Sequence, residues 1–357
     1  MTGAADQAVR CAIVGYGRNW NFGRMHGRWI GACPGLHLVA VCDIDPISRR
    51  NAQADFPGIR TYDSVDGLLA EAEADLVCVI TPHNTHAPIS LQCLRAGKHV
   101  LVDKPMATSV ADCTAMIDEA RRQGRSLAVF HNRRHDGNYR AIKALVDEGR
   151  IGEVFHVECC EEQYGHPGHW WYSRNDASGG VFFFWGPHAV DWVLNLVPSR
   201  VKGVAASAQK RVWLDVDIDD EIRATLFFEN GATAQINFSY ISPICKPLWR
   251  ILGTKGATEN LGLGPMPGAY ISGYGELLEA PPCGTFTLVT VDDSGSHESE
   301  HQYWVSDWLT YYKDLAAHLL KGAPIPVSGE EGRRAVAVME AAGRSARSGR
   351  TEPVAYG

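Results

Sequence analysis

The sequence predicts an α/β protein of two unequal parts, a helix-wrapped parallel sheet followed by a larger, mostly antiparallel sheet. Three observations carry the prediction. In the first third, the apolar runs CAIVGYG, HLVAVCDID, ADLVCVITP, HVLVDKP and SLAVFHN are interleaved with helix-like segments such as VDGLLAEA and APISLQCLRAG. Buried strands alternating with helices indicate a parallel sheet covered on both faces. From about Ile151 the period becomes two, in EVFHVECCEEQY, RVKGVAASAQK, EIRATLFFENGATAQINFSYI and LWRILGTKG. That alternation suits antiparallel strands with one covered face, and Asn230-Gly231 predicts a hairpin turn. Third, VSGEEGRRAVAVMEAAGRSARSG reads as a helix over about 328–348, with Ser328 as N-cap, acids in its first turn and Gly349 beyond it.

Composition narrows the function classes. A chain of 357 residues is long enough for two domains with substantial cores. Its formal net charge of -7, without a Lys/Arg block, argues against nucleic acid or an anionic membrane surface as partner. No run approaches the ~18 apolar residues of a membrane span, and MTGAADQAVR lacks a signal-peptide core. Ten cysteines occur without a CxxC, and Cys11, Cys42 and Cys78 sit inside apolar strand patterns. They read as reduced, buried thiols, so a cytoplasmic location is expected.

The first strand runs into Gly15-Tyr16-Gly17, with Gly23 six positions later. A dinucleotide site needs such a tight turn, a backbone that approaches the pyrophosphate, and a helix N-terminus aimed at it. The spacing is three residues longer than the usual GxGxxG. Asp43, ending the second strand, strengthens the reading, because a carboxylate there accepts hydrogen bonds from ribose hydroxyls and repels a 2′-phosphate. NAD is therefore expected over NADP, with Arg49 and Arg50 the nearby residues that argue the other way. Thr81, Pro82, Asn84 and His86 follow the next strand exit, and Asp103 and Lys104 the one after. Ligands of doubly wound sheets bind at these carboxyl ends. A lysine leaving a buried strand has a lowered pKa and can share a hydroxyl proton.

GKHVLVDKP resembles the GKHVxxEKP signature of the Gfo/Idh/MocA oxidoreductases. The resemblance extends through the glycine turn, TPHNTHAPISLQCLRAGKHVLVDKP, IGEV, GGV…GPHAVDWV, LGTKGA and EAAGRSARSG, nearly the whole chain. It implies an N-terminal Rossmann dinucleotide-binding domain, placed at 1–130. It also implies a C-terminal α+β domain on a large open, mostly antiparallel sheet, placed at 131–357, with the last helix packing back on the first domain. It further implies NAD-linked oxidation or reduction of a carbinol of a sugar, glycoside or cyclitol, and a homo-oligomer, dimer or tetramer, paired through that sheet.

The family's second domain usually carries GG…DxGxHxxD, with the histidine as acid/base. Gly186, His188 and Asp191 match, but Phe184 stands where the acid is expected. By resemblance His188 is catalytic with Lys104, on a helix start, with Val181 to Trp185 burying the lead-in. Asp176 and Tyr172 are candidates to replace the acid. Trp170, Trp171 and Tyr172 suit the C–H face of a sugar ring. Arg133, Arg134 and Arg174, with Asn132, are candidate donors to hydroxyls or an anionic substituent. The pairs His83/His86 and His166/His169 lie in segments read as loops, with no cysteine or carboxylate close in sequence to complete a tetrahedral set, so no metal site is expected. Two other functions remain open: NAD-dependent glycoside cleavage through transient ring oxidation, and a nucleotide-binding sensor without turnover.

Overall fold

A computed structural model describes residues 8–17, 22–261, 279–280 and 284–357. The first part alternates β1 (Val9–Val14), α1 (Phe22–Ala32), β2 (Leu36–Cys42), α2 (Pro46–Asp55), β3 (Arg60–Tyr62), α3 (Val65–Glu71), β4 (Leu76–Val79), α4 (His83–Arg95), β5 (His99–Asp103), α5 (Val110–Gln123) and β6 (Leu127–Phe130). All six strands are parallel, in the order β3-β2-β1-β4-β5-β6. The order reverses between β1 and β4, which opens a crevice at the carboxyl edge, above the glycine turn. The near-continuous burial of β1, β4 and β6 is what double coverage by helices requires.

The second part follows with α6 (Gly137–Asp147), β7 (Val154–Glu162), α7 (Asn175–Ser178), α8 (Phe182–Leu196), β8 (Val201–Gln209), β9 (Glu221–Phe228), β10 (Thr233–Ser239), β11 (Trp249–Gly253), β12 (Gly256–Leu261), β13 (Glu279–Ala280), β14 (Thr285–Asp292), β15 (Gly295–Gln302), β16 (Ser306–Asp307), α9 (Leu309–Lys321), α10 (Gly329–Ser348) and β17 (Glu352–Pro353). Nine strands form one sheet, β15-β14-β12-β11-β7-β10-β9-β8-β17, antiparallel except for the β7–β10 pair. Helix α8 packs on β7 and β10, while α10 packs on β8 and α8 and also reaches α5 and β6. A capping box starts α10: Ser328 and Glu331 each accept the other's backbone N–H, at 3.2 and 2.9 Å.

Two segments differ from the expectation. The run from His83 to His86 forms the first turn of α4 rather than a loop. Pro82 is suited to precede it, and a polar first turn at a strand's carboxyl end shows no apolar stripe to read as helix. Likewise Phe182 to Trp185 are not a lead-in but the first turn of α8, so His188 stands in its second turn. Aromatic residues have modest helix propensity, and here packing against the sheet overrides it.

Candidate active site

The glycine turn is built by close approach. Gly15 has φ +92°, and a Cβ there would lie 2.2 Å from the Ile80 carbonyl oxygen. At Gly23 a Cβ would come within 2.5 Å of the Tyr16 Cα, so only glycine lets α1 sit against the turn. Gly17, at φ +80°, has no described residue within 4 Å of where a Cβ would stand, which suits a backbone that receives a pyrophosphate. Tyr16 contributes only main chain, since its ring is fully buried and its hydroxyl donates to Asp55 at 2.5 Å. One Asp43 oxygen accepts the N–H groups of Tyr16 (2.8 Å) and Gly17 (3.0 Å), and the other accepts Asp45 N–H (2.8 Å). The carboxylate thus ends β2 against the turn, placed for a ribose. Arg49 donates instead to the Asp43 and Ile44 carbonyls, at 2.7 and 3.2 Å. Carboxylate, open turn and helix start together fit a dinucleotide.

The two strand exits beyond are tied together by His86. Its ring nitrogens lie 2.8 Å from the Thr81 carbonyl and 2.7 Å from that of Pro105. Burial lowers its pKa, while Asp103 and the two carbonyls pull it back up. Pro82 precedes α4, and Asn84 is exposed on its first turn.

Lys104 leaves β5 half-buried and donates to the Phe184 carbonyl at 3.0 Å, its ammonium 5.3 Å from the Phe184 ring centroid. Burial lowers its pKa to about 8, against the pull of Asp103 and helped by Arg133. Burial also raises the Asp103 carboxyl. His188 is buried between Trp185 (centroids 5.4 Å apart), Trp192 (6.3 Å) and His131 (6.1 Å). Burial first, then Lys104, Arg133 and His131, hold its pKa well below the usual range. The shift favours the neutral ring, and its Nδ1 has no partner among the described residues. The His131 Nδ1 is equally unmatched, and burial lowers that ring's pKa to about 4.

The remaining candidates divide. Arg133 is buried, 3.0 Å from Asp136 and 4.6 Å from the Trp185 ring centroid. Arg134 is committed elsewhere: it forms a two-point pair with Asp191 (2.7 and 2.6 Å) and a bond to Glu331 (2.9 Å). Tyr172 lies between Trp170 and Phe184, nearly parallel to both, and its hydroxyl donates to the Pro167 carbonyl. Trp171 is partly exposed, edge-on to His83 at 4.7 Å. Arg174 is exposed and paired with Asp176 at 2.6 Å. Neither Asp176 nor the Tyr172 hydroxyl therefore takes the place of the acid missing at Phe184.

His83 Nδ1 is bonded to the Ser178 carbonyl at 2.8 Å, which explains that histidine without a metal. The other pair has a carboxylate that sequence distance concealed. His166 Nε2 lies 3.0 Å and His169 Nε2 3.3 Å from the same oxygen of exposed Asp215. The ligand types suit a metal, but Gly168 N–H donates to His166 Nδ1 at 2.8 Å. That places the ring hydrogen on Nε2, which donates to Asp215 and offers no lone pair to an ion.

Three residues at or around the site escaped the sequence reading: His131 beside His188, Glu161 on β7 beside Arg133, and Glu331, which holds Arg134. His131 directly follows β6 and was legible as one more carboxyl-end position. The other two depend on strand register and helix docking, which no local pattern carries.

The comparisons with known proteins agree with this architecture. A family model described as "Oxidoreductase family, NAD-binding Rossmann fold" matches residues 9–131, and "GFO/IDH/MocA C-terminal domain" matches 139–259. A 1-carboxy-3-chloro-3,4-dihydroxycyclohexa-1,5-diene dehydrogenase from Comamonas testosteroni is 33% identical over 211 residues, 57% of this chain and 52% of that one. The scyllo-inositol 2-dehydrogenase (NADP(+)) IolW of Bacillus subtilis is 25% identical over 364 residues, covering 96% of this chain and 95% of its own. The chain spans 52% to 64% of the length of three of the curated relatives it matches. The solved structure of Bacillus subtilis yvaA superposes with a TM-score of 0.87 at 23% identity, over 99% of this chain and 100% of that one. The chain belongs to the GFO/IDH/MocA oxidoreductase family, with an N-terminal NAD-binding Rossmann fold and a C-terminal domain built on a mostly antiparallel sheet.

Proposed function

We propose that the protein is a cytoplasmic, NAD-dependent dehydrogenase that oxidises a carbinol of a sugar, glycoside or cyclitol. The supporting observation is the meeting of Lys104, from the carboxyl end of β5, with a neutral His188 on α8. A dinucleotide held by the glycine turn and Asp43 would supply a hydride acceptor in its nicotinamide ring. The chain's own part is to hold the reacting hydroxyl and take its proton. Lys104 and His188 grip that oxygen, and the neutral imidazole receives the proton without first having to lose one. Trp171, partly exposed beside His83, offers flat apolar surface to the ring's C–H face.

The deciding assay supplies NAD with free and glycosylated sugars and cyclitols. NADH accumulation supports the proposal. Release of aglycone with only catalytic NAD would replace it by redox-neutral glycoside cleavage, and neither product by a sensor. IolW is named for NADP(+), so cofactor choice is tested separately. With Asp43 at the ribose position and Arg49 bonded to main-chain carbonyls, NAD binds more tightly by about tenfold or more, the ratio that ~1.4 kcal/mol of repulsion produces. Calorimetric titration with both cofactors measures it, and tighter NADP binding rejects the role given to Asp43.

A homo-oligomer assembled through the nine-stranded sheet belongs to the same proposal. The outer strand β15 is exposed along nearly its whole length, and the face carrying Glu158 and Arg250 is ion-paired. Light scattering at micromolar protein gives a dimer or tetramer mass; a monomer rejects the assembly.

A further inference from the structure

On β7 the alternate residues Val157 and Cys159 are buried beneath α8, and the strand's period of two puts Glu161 on that same face. Its register partner on β10 is Phe238, whose ring packs against Phe184 (6.3 Å) and Tyr240 (5.0 Å). Phe184 in turn lies under the Lys104 ammonium. Glu161 therefore borders the candidate site through Arg133, a charged neighbour of Glu161, Lys104 and His188 alike. Among the described residues its carboxyl group makes no hydrogen bond and no ion pair. A half-buried carboxyl group without a protein partner is satisfied by water, which a ligand's hydroxyls can replace.

The surrounding charges say what that ligand is. Arg133 and Asp136 face Glu161 with opposite signs, and Tyr240 and Cys245 are the other titratable neighbours. Arg133 is already paired with Asp136, so Glu161 is the charge on this strand face that no local partner offsets. Burial raises the Glu161 carboxyl to about 7, which leaves it largely ionised in mildly alkaline solution.

We propose that Glu161 sets the charge class of the substrate: the site takes an uncharged polyol, whose hydroxyls donate to the Glu161 carboxylate, and turns away sugars that carry a carboxylate. This rests on the hydride-transfer reading above and deepens it. Arg133 looks like an anion receptor in sequence, but with Asp136 and Glu161 beside it an acidic substituent would meet repulsion in a partly dry pocket.

The test is equilibrium binding to NAD-saturated protein at pH 8, by calorimetry, of D-glucose, myo-inositol and D-glucuronate. At least one neutral compound binds about tenfold or more tighter than glucuronate, the discrimination that a like charge imposes. Glu161→Gln and Glu161→Ala both shrink that ratio severalfold, and their unfolding midpoints at pH 8 show whether each variant is folded. Glucuronate binding as tightly as the neutral sugars in the wild type overturns the proposal, as does a ratio unchanged in a folded variant or binding by none of the three. Neutral-selective binding without NADH formation leaves Glu161's role standing and rejects hydride transfer instead.

Discussion

Replacing either Lys104 or His188 with alanine lowers turnover by about 100- to 10,000-fold, the usual contribution of a positioned acid or base, or about 3–5 kcal/mol of transition-state stabilisation. The expectation follows from what the two groups do to each other. Both are desolvated, and the nearby ammonium helps keep His188 neutral. A neutral imidazole accepts the hydroxyl proton, and Lys104 stabilises the oxygen as it loses that proton. The double variant is little worse than the worse single, because the two act on one oxygen. NAD affinity stays close to that of the wild type, since the glycine turn and Asp43 are untouched. The pH profile gives a separate check. With Lys104 titrating at about 8, kcat/KM bends near pH 8, and the bend disappears in Lys104→Ala. A His188→Ala enzyme with near-normal turnover would end the proposal and leave the imidazole as a core residue.

Most of this machinery was legible because it lies on short-range signals. Gly15, Gly17, Asp43 and Lys104 each sit at the carboxyl end of a recognisable strand, and a parallel sheet converts that position into proximity. The aromatic run before His188 misled for a physical reason: four aromatic residues in a row have no helical stripe, and only docking on the sheet, with Tyr172 and Phe238 against Phe184, makes them a first turn. The arginines show the opposite failure. Arg133, Arg134 and Arg174 look alike in sequence, yet one lies in the site, one in a buried ion pair and one in solvent. Arg134 finds its partners Asp191 and Glu331 by tertiary packing, whereas Asp136 and Asp176 lie close in sequence to Arg133 and Arg174, and only burial separates those two pairs. Asp215 is the same case: a carboxylate remote in sequence stands beside two histidines that looked short of one.

Asp191→Ala destabilises the protein by about 3–5 kcal/mol, the cost of stripping one partner from a buried charge pair. Asp191 is 2% exposed, and both of its oxygens are held by Arg134, whose third contact is Glu331 at the start of α10. The carboxylate therefore fastens α8 to the segment after β6 and, through Arg134, to the last helix. Burial alone would raise its pKa, but Arg134, then His131, outweigh that and hold it below the usual carboxylate value. A carboxyl group depressed in the folded state stabilises fully above its unfolded pKa, and that stability is lost as pH falls through the folded value. The stability gap between wild type and Asp191→Ala is therefore full at pH 7 and closes only in acid, below about pH 4. Urea unfolding at pH 7 measures the full gap, and at pH 3 its narrowing. Activity falls as well, because Asp191 is a charged neighbour of His131 and lies on the same helix as His188. The double variant Arg134→Met/Asp191→Leu separates the charge from the packing. Removing both charges leaves neither buried and unpaired, and Glu331 keeps its bonds to Ser328, so most of the lost stability returns while activity does not. An Asp191→Ala protein that unfolds at the wild-type urea midpoint at pH 7 would show that the pair fastens nothing.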